Sequence, residues 1–212
     1  MAPARRIGTV DAKARSRLIR AAAQIIRGGG LASLTTRRLA ERVNLKRQIV
    51  HYYFCTVENL LVAVARYESE KFQRRLYNAL KSGDPLGALK LASRGSAPMF
   101  EFIAFALRSK AMKNEIRRYF EELHRLESQA VSSCLKLGVG TRFPSPLMMY
   151  VSRCLTQYMA IEAAIGFSNG HAEVMALVEE WFSTFSKEAA PPLQGLKHIK
   201  SPSREVMCQW TR

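Results

Sequence analysis

The 212-residue chain is short of acid: Asp and Glu number 17 against 33 Lys and Arg, a formal net charge of +16. Its four cysteines, Cys55, Cys134, Cys154 and Cys208, show no C-x-x-C spacing, which excludes a zinc ribbon or a thioredoxin-type redox motif. Its four histidines, His51, His124, His171 and His198, have no partner at ligand spacing, so no metal and no cofactor is expected. No apolar run reaches the roughly eighteen residues that a bilayer span needs, and no apolar segment follows Arg5-Arg6 as in a signal peptide. The expectation is a soluble cytoplasmic protein, nucleoid-associated, with no membrane partner. Cys55, Cys134 and Cys154 are expected as buried free thiols in a reducing compartment. Strand-like alternation and internal repeats are also absent, which leaves an all-α fold.

What is present is basic charge concentrated at one end. The first 54 residues hold twelve of the 33 cationic residues but only Asp11 and Glu41 among the acids. Such a concentration is the electrostatic footprint of a polyanion partner. A solvated basic face would look the same by charge alone, so the argument turns on what coincides with it.

That is the stretch Thr35 to Phe54, TTRRLAERVNLKRQIVHYYF. Thr35 suits an N-cap, because its hydroxyl can accept from an orphan N–H of the first turn. Leu39, Ala40 and Val43 follow at helical spacing. Asn44 stands at the turn, and Asn tolerates a left-handed backbone. A second helix is expected from about Leu45, anchored by Ile49, Val50 and Phe54. Two short helices at a steep angle, the second cationic and rich in hydrogen-bonding groups, suit major-groove reading. The residues expected on the DNA side are Thr35, Thr36 and Arg37 at the opening of the first helix. Along the second they are Lys46, Arg47, Gln48, Ile49, His51 and Tyr52. Arg47 can bond guanine O6 and N7 in two-pronged fashion and Gln48 adenine N6 and N7. Lys46, His51 and Tyr52 suit phosphates.

Gly30 to Leu61 resembles the DNA-binding domain of the tetracycline-repressor (TetR/AcrR) family: Gly30, Thr35, Leu39-Ala40, Arg47, Tyr53-Phe54, Glu58 and Leu60-Leu61 fall in its register. The similarity covers about residues 11–71. Asn44 stands where the family turn usually has Gly, His51 where Tyr is usual, and Val57 where a phosphate-contacting Lys is common. The resemblance implies a homodimeric regulator of double-stranded DNA bearing an inverted-repeat operator. It also implies a larger helical domain for ligand binding and dimerisation, and a small apolar or amphipathic effector.

The expected organisation is a flexible basic arm over 1–12, a helix-turn-helix domain over 13–56, a helical domain over 57–188 and a disordered tail over 189–212, with about nine helices in all. The first helix spans Ala14 to Arg27, stopped by Gly28-Gly29-Gly30. Thr56 caps a rod to about Lys81, some 37 Å long. Asp84-Pro85 opens a short helix to Ala92, and Pro98 opens an apolar segment expected to be buried. Asn114–Leu137, Leu147–Phe167 and Ala172–Lys187 complete the set. Phe100, Phe105, Met112, Tyr119 and Phe120 are candidates to line an apolar pocket, as are Met148, Tyr158 and Met159. His124 and Arg153 are candidate polar groups within it. The last two helices are apolar on several faces. The resemblance makes them the dimer surface, with Leu155 and Ile161 on one and Val174, Leu177, Val178, Trp181, Phe182 and Phe185 on the other.

Two other classes compete. Gly166-Phe167-Ser168-Asn169-Gly170 matches the G-x-S-x-G of serine hydrolases, whose nucleophile requires a strand before it. A helix is expected there, so no catalytic residue is assigned and the chain is read as a non-enzyme. Ser133-Cys134-Leu135-Lys136 matches S-x-x-K inside a helix with no companion motif. An architectural DNA-binding protein would need no helical body of this size.

Overall fold

The computed structural model describes residues 9–94, 97–136 and 146–187, with side chains placed for 12–94, 98–134 and 149–180. Among the described residues there are nine α-helices and no strand. They are α1 (Thr9–Gly29), α2 (Thr36–Val43), α3 (Arg47–Phe54), α4 (Val57–Lys81), α5 (Pro85–Ala92), α6 (Ala97–Ala106), α7 (Lys110–Lys136), α8 (Pro146–Ala164) and α9 (His171–Lys187). A short 3-10 turn, Leu31–Ser33, follows α1. The all-helical expectation is met.

The starts of the helices follow local chemistry. The Thr35 hydroxyl accepts from the Arg38 N–H at 3.1 Å, the Thr56 hydroxyl from the Asn59 N–H at 3.1 Å, and the Asp84 carboxylate from the Gly87 N–H at 2.7 Å. Each satisfies one orphan donor of a first turn.

Several boundaries depart from expectation. α1 starts at Thr9, so residues 9–12 are helix rather than arm; no Gly or Pro stands between Thr9 and Gly28 to prevent it. The arm over 1–8 and the tail from 188 lie outside the described residues. Gly28 and Gly29 stay helical, and only Gly30 turns the chain, at φ +73°. α3 begins at Arg47 rather than Leu45, with Lys46 at the cap. α7 begins at Lys110, four residues early, because the Ser109 hydroxyl accepts from the Met112 N–H at 3.0 Å. α8 stops at Ala164, and Gly166 carries the turn at φ +86°.

Two cores form. The first joins Leu18, Ile26, Leu39, Phe54, Leu60 and Val64 from α1–α4 with Phe102 of α6 and Met112 and Ile116 of α7. The second joins Leu76 and Leu80 of α4 with Leu89, Leu123, Leu126, Met149 and Val178. α4 and α7 run side by side in the same direction. Glu58 meets Ser109 near their starts, Arg66 meets Glu115 further along, and Leu76 and Leu80 border the same small space as Leu126 and Ala130. α6 is not buried all round: Phe102 is 1% exposed, but Phe100 is 40% exposed and Leu107, just past its end, 81%.

Phe102 fills the first core from outside the four N-terminal helices. Phe102→Ala is expected to cost about 3–5 kcal/mol and to leave a single denaturant transition for helix content. A cost below about 1 kcal/mol, or early melting of α1–α3 alone, would show that the first core does not need α6.

Candidate nucleic-acid interface

α2 and α3 are held at their angle by one backbone conformation. Asn44 is left-handed, φ 53° and ψ 52°, and its N–H turns back to the carbonyls of Ala40 and Glu41. The Leu45 N–H also reaches the Ala40 carbonyl, at 2.9 Å. α2 then buries Leu39, Ala40 and Val43, and α3 buries Val50 and Phe54.

The opposite side of α3 is free. Lys46, Arg47, Gln48, His51 and Tyr52 are exposed, and Tyr52 stands edge-on to Tyr53 with centroids 5.1 Å apart. Ile49 is different: it is half-buried against the first core, so its bulk supports the helix rather than reaching a base. Thr36 is half-buried, and the Thr35 hydroxyl is occupied by the cap. Arg37 is exposed but bonded to Glu41 at 2.8 Å, which raises its pKa.

Most other cations of this region have structural work. Arg17 donates to the Val43 carbonyl, Arg38 to the Ser33 carbonyl and Arg42 to the Gln24 side chain. Arg27 pairs with Glu68 at 3.1 Å, and Arg15 lies 5.3 Å from the centroid of Phe54. Burial, with Arg66 nearby, lowers the Arg15 pKa. Lys46 and Arg47 have no ion pair with any described residue, so the row on α3 keeps its charge outward.

The turn after α3 holds a residue the sequence pattern does not single out. Cys55 has φ 58° and ψ −48°, a positive φ unusual for a residue with a Cβ. Its thiol is exposed, as is that of Cys154; only Cys134 is buried, and burial pushes its pKa up to about 12. The expectation of three buried thiols therefore holds for one. Cys208 lies outside the described residues.

Elements from the helical body grip this unit. The Leu31 N–H donates to a Glu101 carboxylate oxygen on α6 at 2.7 Å. A Cβ at Gly30 would lie 2.9 Å from the other oxygen, so both φ and space call for glycine there. Glu115 of α7, 5% exposed, accepts from Arg66 at 2.6 and 3.0 Å and from Arg118 at 2.6 Å. The Glu101–Leu31 and Glu115–Arg66 links join residues far apart in sequence, and no local pattern announces them.

The body does not gather the pocket candidates into one cavity. Met112 is fully buried in the first core, and Phe105 packs on that core half-buried, because the α6–α7 corner docks against α1 and α4. Tyr119 is in the second core, where burial pushes its pKa up to about 12. His124 is exposed rather than buried. Arg153 is half-buried, pairs with Glu127 at 2.6 Å and lies near the rings of Phe120 and Tyr150, 6.0 and 5.5 Å from their centroids. Phe120 and Tyr158 are 38% and 62% exposed, Met159 is half-buried, and the Met148 side chain lies outside those described. A tight apolar crevice, too narrow to hold a water molecule, is lined by Leu76, Leu80, Ala88, Leu89, Ala92, Leu126, Glu127 and Ala130. None of these is a pocket candidate from the sequence.

On the last two helices, Leu155 and Leu177 are exposed and Ile161 and Val174 half-buried. Val178, expected on an outer surface, is 3% exposed and belongs to the second core. The side chains of Trp181, Phe182 and Phe185 lie outside those described. Ser168 follows a helix, not a strand, and its flanking glycines are turn residues at φ +86° and +78°. Among the described residues no group of His, Cys, Asp and Glu could hold a metal, and no helix is long and apolar enough to cross a membrane.

Residues 18–64 match the family model described as bacterial regulatory proteins, tetR family. No match was found among curated proteins. Among solved structures, the fold is similar to a TetR transcription regulator from Haloarcula marismortui, with 19% identity, 84% of this chain and 100% of that chain covered, and a TM-score of 0.62. It is also similar to the reduced form of NemR from E. coli, with 17% identity, 84% and 99% covered, and a TM-score of 0.62. FadR from Bacillus subtilis, solved in complex with stearoyl-CoA, matches with 13% identity, 82% and 99% covered, and a TM-score of 0.55. The helix-turn-helix is thus a tetR-family unit, and the chain has the fold of TetR transcription regulators.

The geometry of that unit hangs on the Asn44 backbone. Asn44→Ala is expected to cost about 1 kcal/mol and Asn44→Gly to be close to neutral. Thermal unfolding of the two variants checks this; equal losses would place the role of Asn44 in its side chain.

Proposed function

We propose that this chain, carrying a tetR-family helix-turn-helix on a TetR-regulator fold, is a sequence-specific transcription regulator acting as a homodimer on an inverted-repeat operator. The observation that carries the reading is the free row on α3. Arg47 and Gln48 are exposed, Arg47 has no ion-pair partner among the described residues, and the helix bearing them is anchored by Val50 and Phe54 behind. Arg47 suits guanine and Gln48 adenine, while Lys46, His51 and Tyr52 meet phosphates. Thr35 and Thr36, at the N-terminus of α2, offer backbone N–H groups to a phosphate. Arg37 joins them by giving up Glu41.

The dimer surface is proposed on α8 and α9. Tyr150, Leu155, Tyr158 and Ile165 are 59%, 38%, 62% and 78% exposed, and Met175 and Leu177 are 38% and 45%. So much exposed apolar area on two adjacent helices suits a partner of the same kind. Two reading helices related by a two-fold axis then enter successive major grooves.

The body is proposed to bind a small amphipathic effector. The B. subtilis neighbour holds stearoyl-CoA in this fold. In this chain the space between α4, α5 and α7 is small, so a ligand there would part α5 from α4 and α7. Operator affinity would fall by the ligand's differential affinity for the two arrangements. No catalytic role is assigned to Ser168.

Selection of bound sequences from random duplex DNA tests the main reading. An inverted repeat is expected, and Arg47→Ala should weaken binding to it by about 1–3 kcal/mol while relaxing one base position per half-site. Enrichment of no sequence would replace the regulator by a general DNA-binding protein. For the dimer, Tyr158→Glu with Leu177→Glu should give a folded monomer by sedimentation equilibrium; a dimer of undiminished affinity would place the interface elsewhere.

A further inference from the structure

The corner between α6 and α7 carries cations that form no ion pair with any described residue. Arg108, Lys110 and Lys113 are exposed there, and no acid occurs between Glu101 and Glu115. The acids nearest the corner are engaged: Glu58 accepts from the Ser109 hydroxyl at 2.5 Å, Glu101 from the Leu31 N–H, and Glu115 from Arg66 and Arg118. The Arg108 guanidinium lies 5.3 Å from the centroid of the Phe105 ring, which keeps it near the corner's surface.

The corner sits at the reading end of the body. Ser109 is bonded to Glu58, which stands three residues past Cys55, where α3 ends. That path puts Ser109 within about 20 Å of the end of α3. α4 and α7 both start there and run away together. A reading helix of eight residues is about 12 Å long, about the width of the major groove. Residues just past its end therefore lie beside a phosphate strand. Val57, at the start of α4, is 42% exposed and offers no charge to that strand.

We propose that the α6–α7 corner is a second DNA-binding patch, in which Arg108 and Lys110, with Lys113 behind them, bind backbone phosphates flanking each half-site. The inference rests on the DNA-binding reading above and extends it from the head to the body. The patch adds affinity without reading bases. It also ties operator binding to the placement of α6 and α7 against the head, since a shift of either helix carries these charges away from the strand.

The test is the salt dependence of operator binding by the full chain. Arg108→Gln with Lys110→Gln is compared with wild type and with Lys71→Gln/Arg75→Gln, which removes two exposed charges elsewhere. Melting curves establish that all three are folded. If each corner of the dimer meets two phosphates, four contacts are lost and the slope of log affinity against log salt falls by about 3.6 in the corner variant only. The selected operator sequence should stay unchanged. Phosphate-ethylation interference should lose a flanking position in the same variant. Equal slopes for wild type and corner variant, or the same decrease in both variants, would overturn the patch and leave the regulator reading intact. Absence of specific binding by wild type would overturn both.

Discussion

The reading unit is made of two helices too short to exist alone. α2 and α3 have eight residues each, below the roughly twelve to fifteen at which an isolated helix is even marginal in water. Their stability has to come from the apolar side chains they bury: Leu39, Ala40 and Val43 from one, Val50 and Phe54 from the other. The core that receives them is built by α1 and α4 and completed by Phe102, Ala106, Met112 and Ile116 from helices far along the chain. The head is therefore not an independent bead on a string. The Glu101 contact with the Leu31 N–H and the paired Glu115 fix the same relation through polar bonds. Breaking the Glu115 pairs would leave a charge buried without a partner, which is costly.

The acids of the chain are largely turned inward or engaged, and this shapes the surface. Glu58, Glu101, Glu115 and Glu127 each accept from a hydroxyl, an amide or an arginine, and Glu68 and Glu41 pair with Arg27 and Arg37. Many basic groups of the head are engaged too, but the exposed row on α3 is not. Part of the formal excess of positive charge is thus expressed on one side of α3 and at the corner beside it. Electrostatics at this end positions the molecule, while packing on the reverse side of the same helices holds the geometry.

What could be read from the sequence was what is decided locally. Thr35, Thr56 and Asp84-Pro85 mark helix starts through side chains that bond their own first turns, and Asn44 marks the turn through its tolerance of positive φ. Ser109 offered the same signal for α7, weaker because Lys110 to Lys113 has little apolar periodicity. What could not be read was which neighbour covers a given face. The sequence reading assigns Met112 and Phe105 to a pocket and Val178 to an outer surface, but the long-range packing puts the first two in or against the head's core and the third in the body's. His124 fell on the solvent side of α7 for the same reason. Long-range polar bonds leave no trace in spacing, so Glu101 and Glu115 emerged only in three dimensions.

The distribution of the three described cysteines gives the molecule a built-in pair of attachment points. Cys134 is shut in the body core, with a thiol that stays protonated at neutral pH. Cys55 is open at the foot of the reading helix, and Cys154 is open on α8 beside Leu155. With Cys208 replaced by serine, a thiol-reactive dye would therefore label one site next to the head and another on α8. Energy transfer between two such dyes would follow the distance between those two regions.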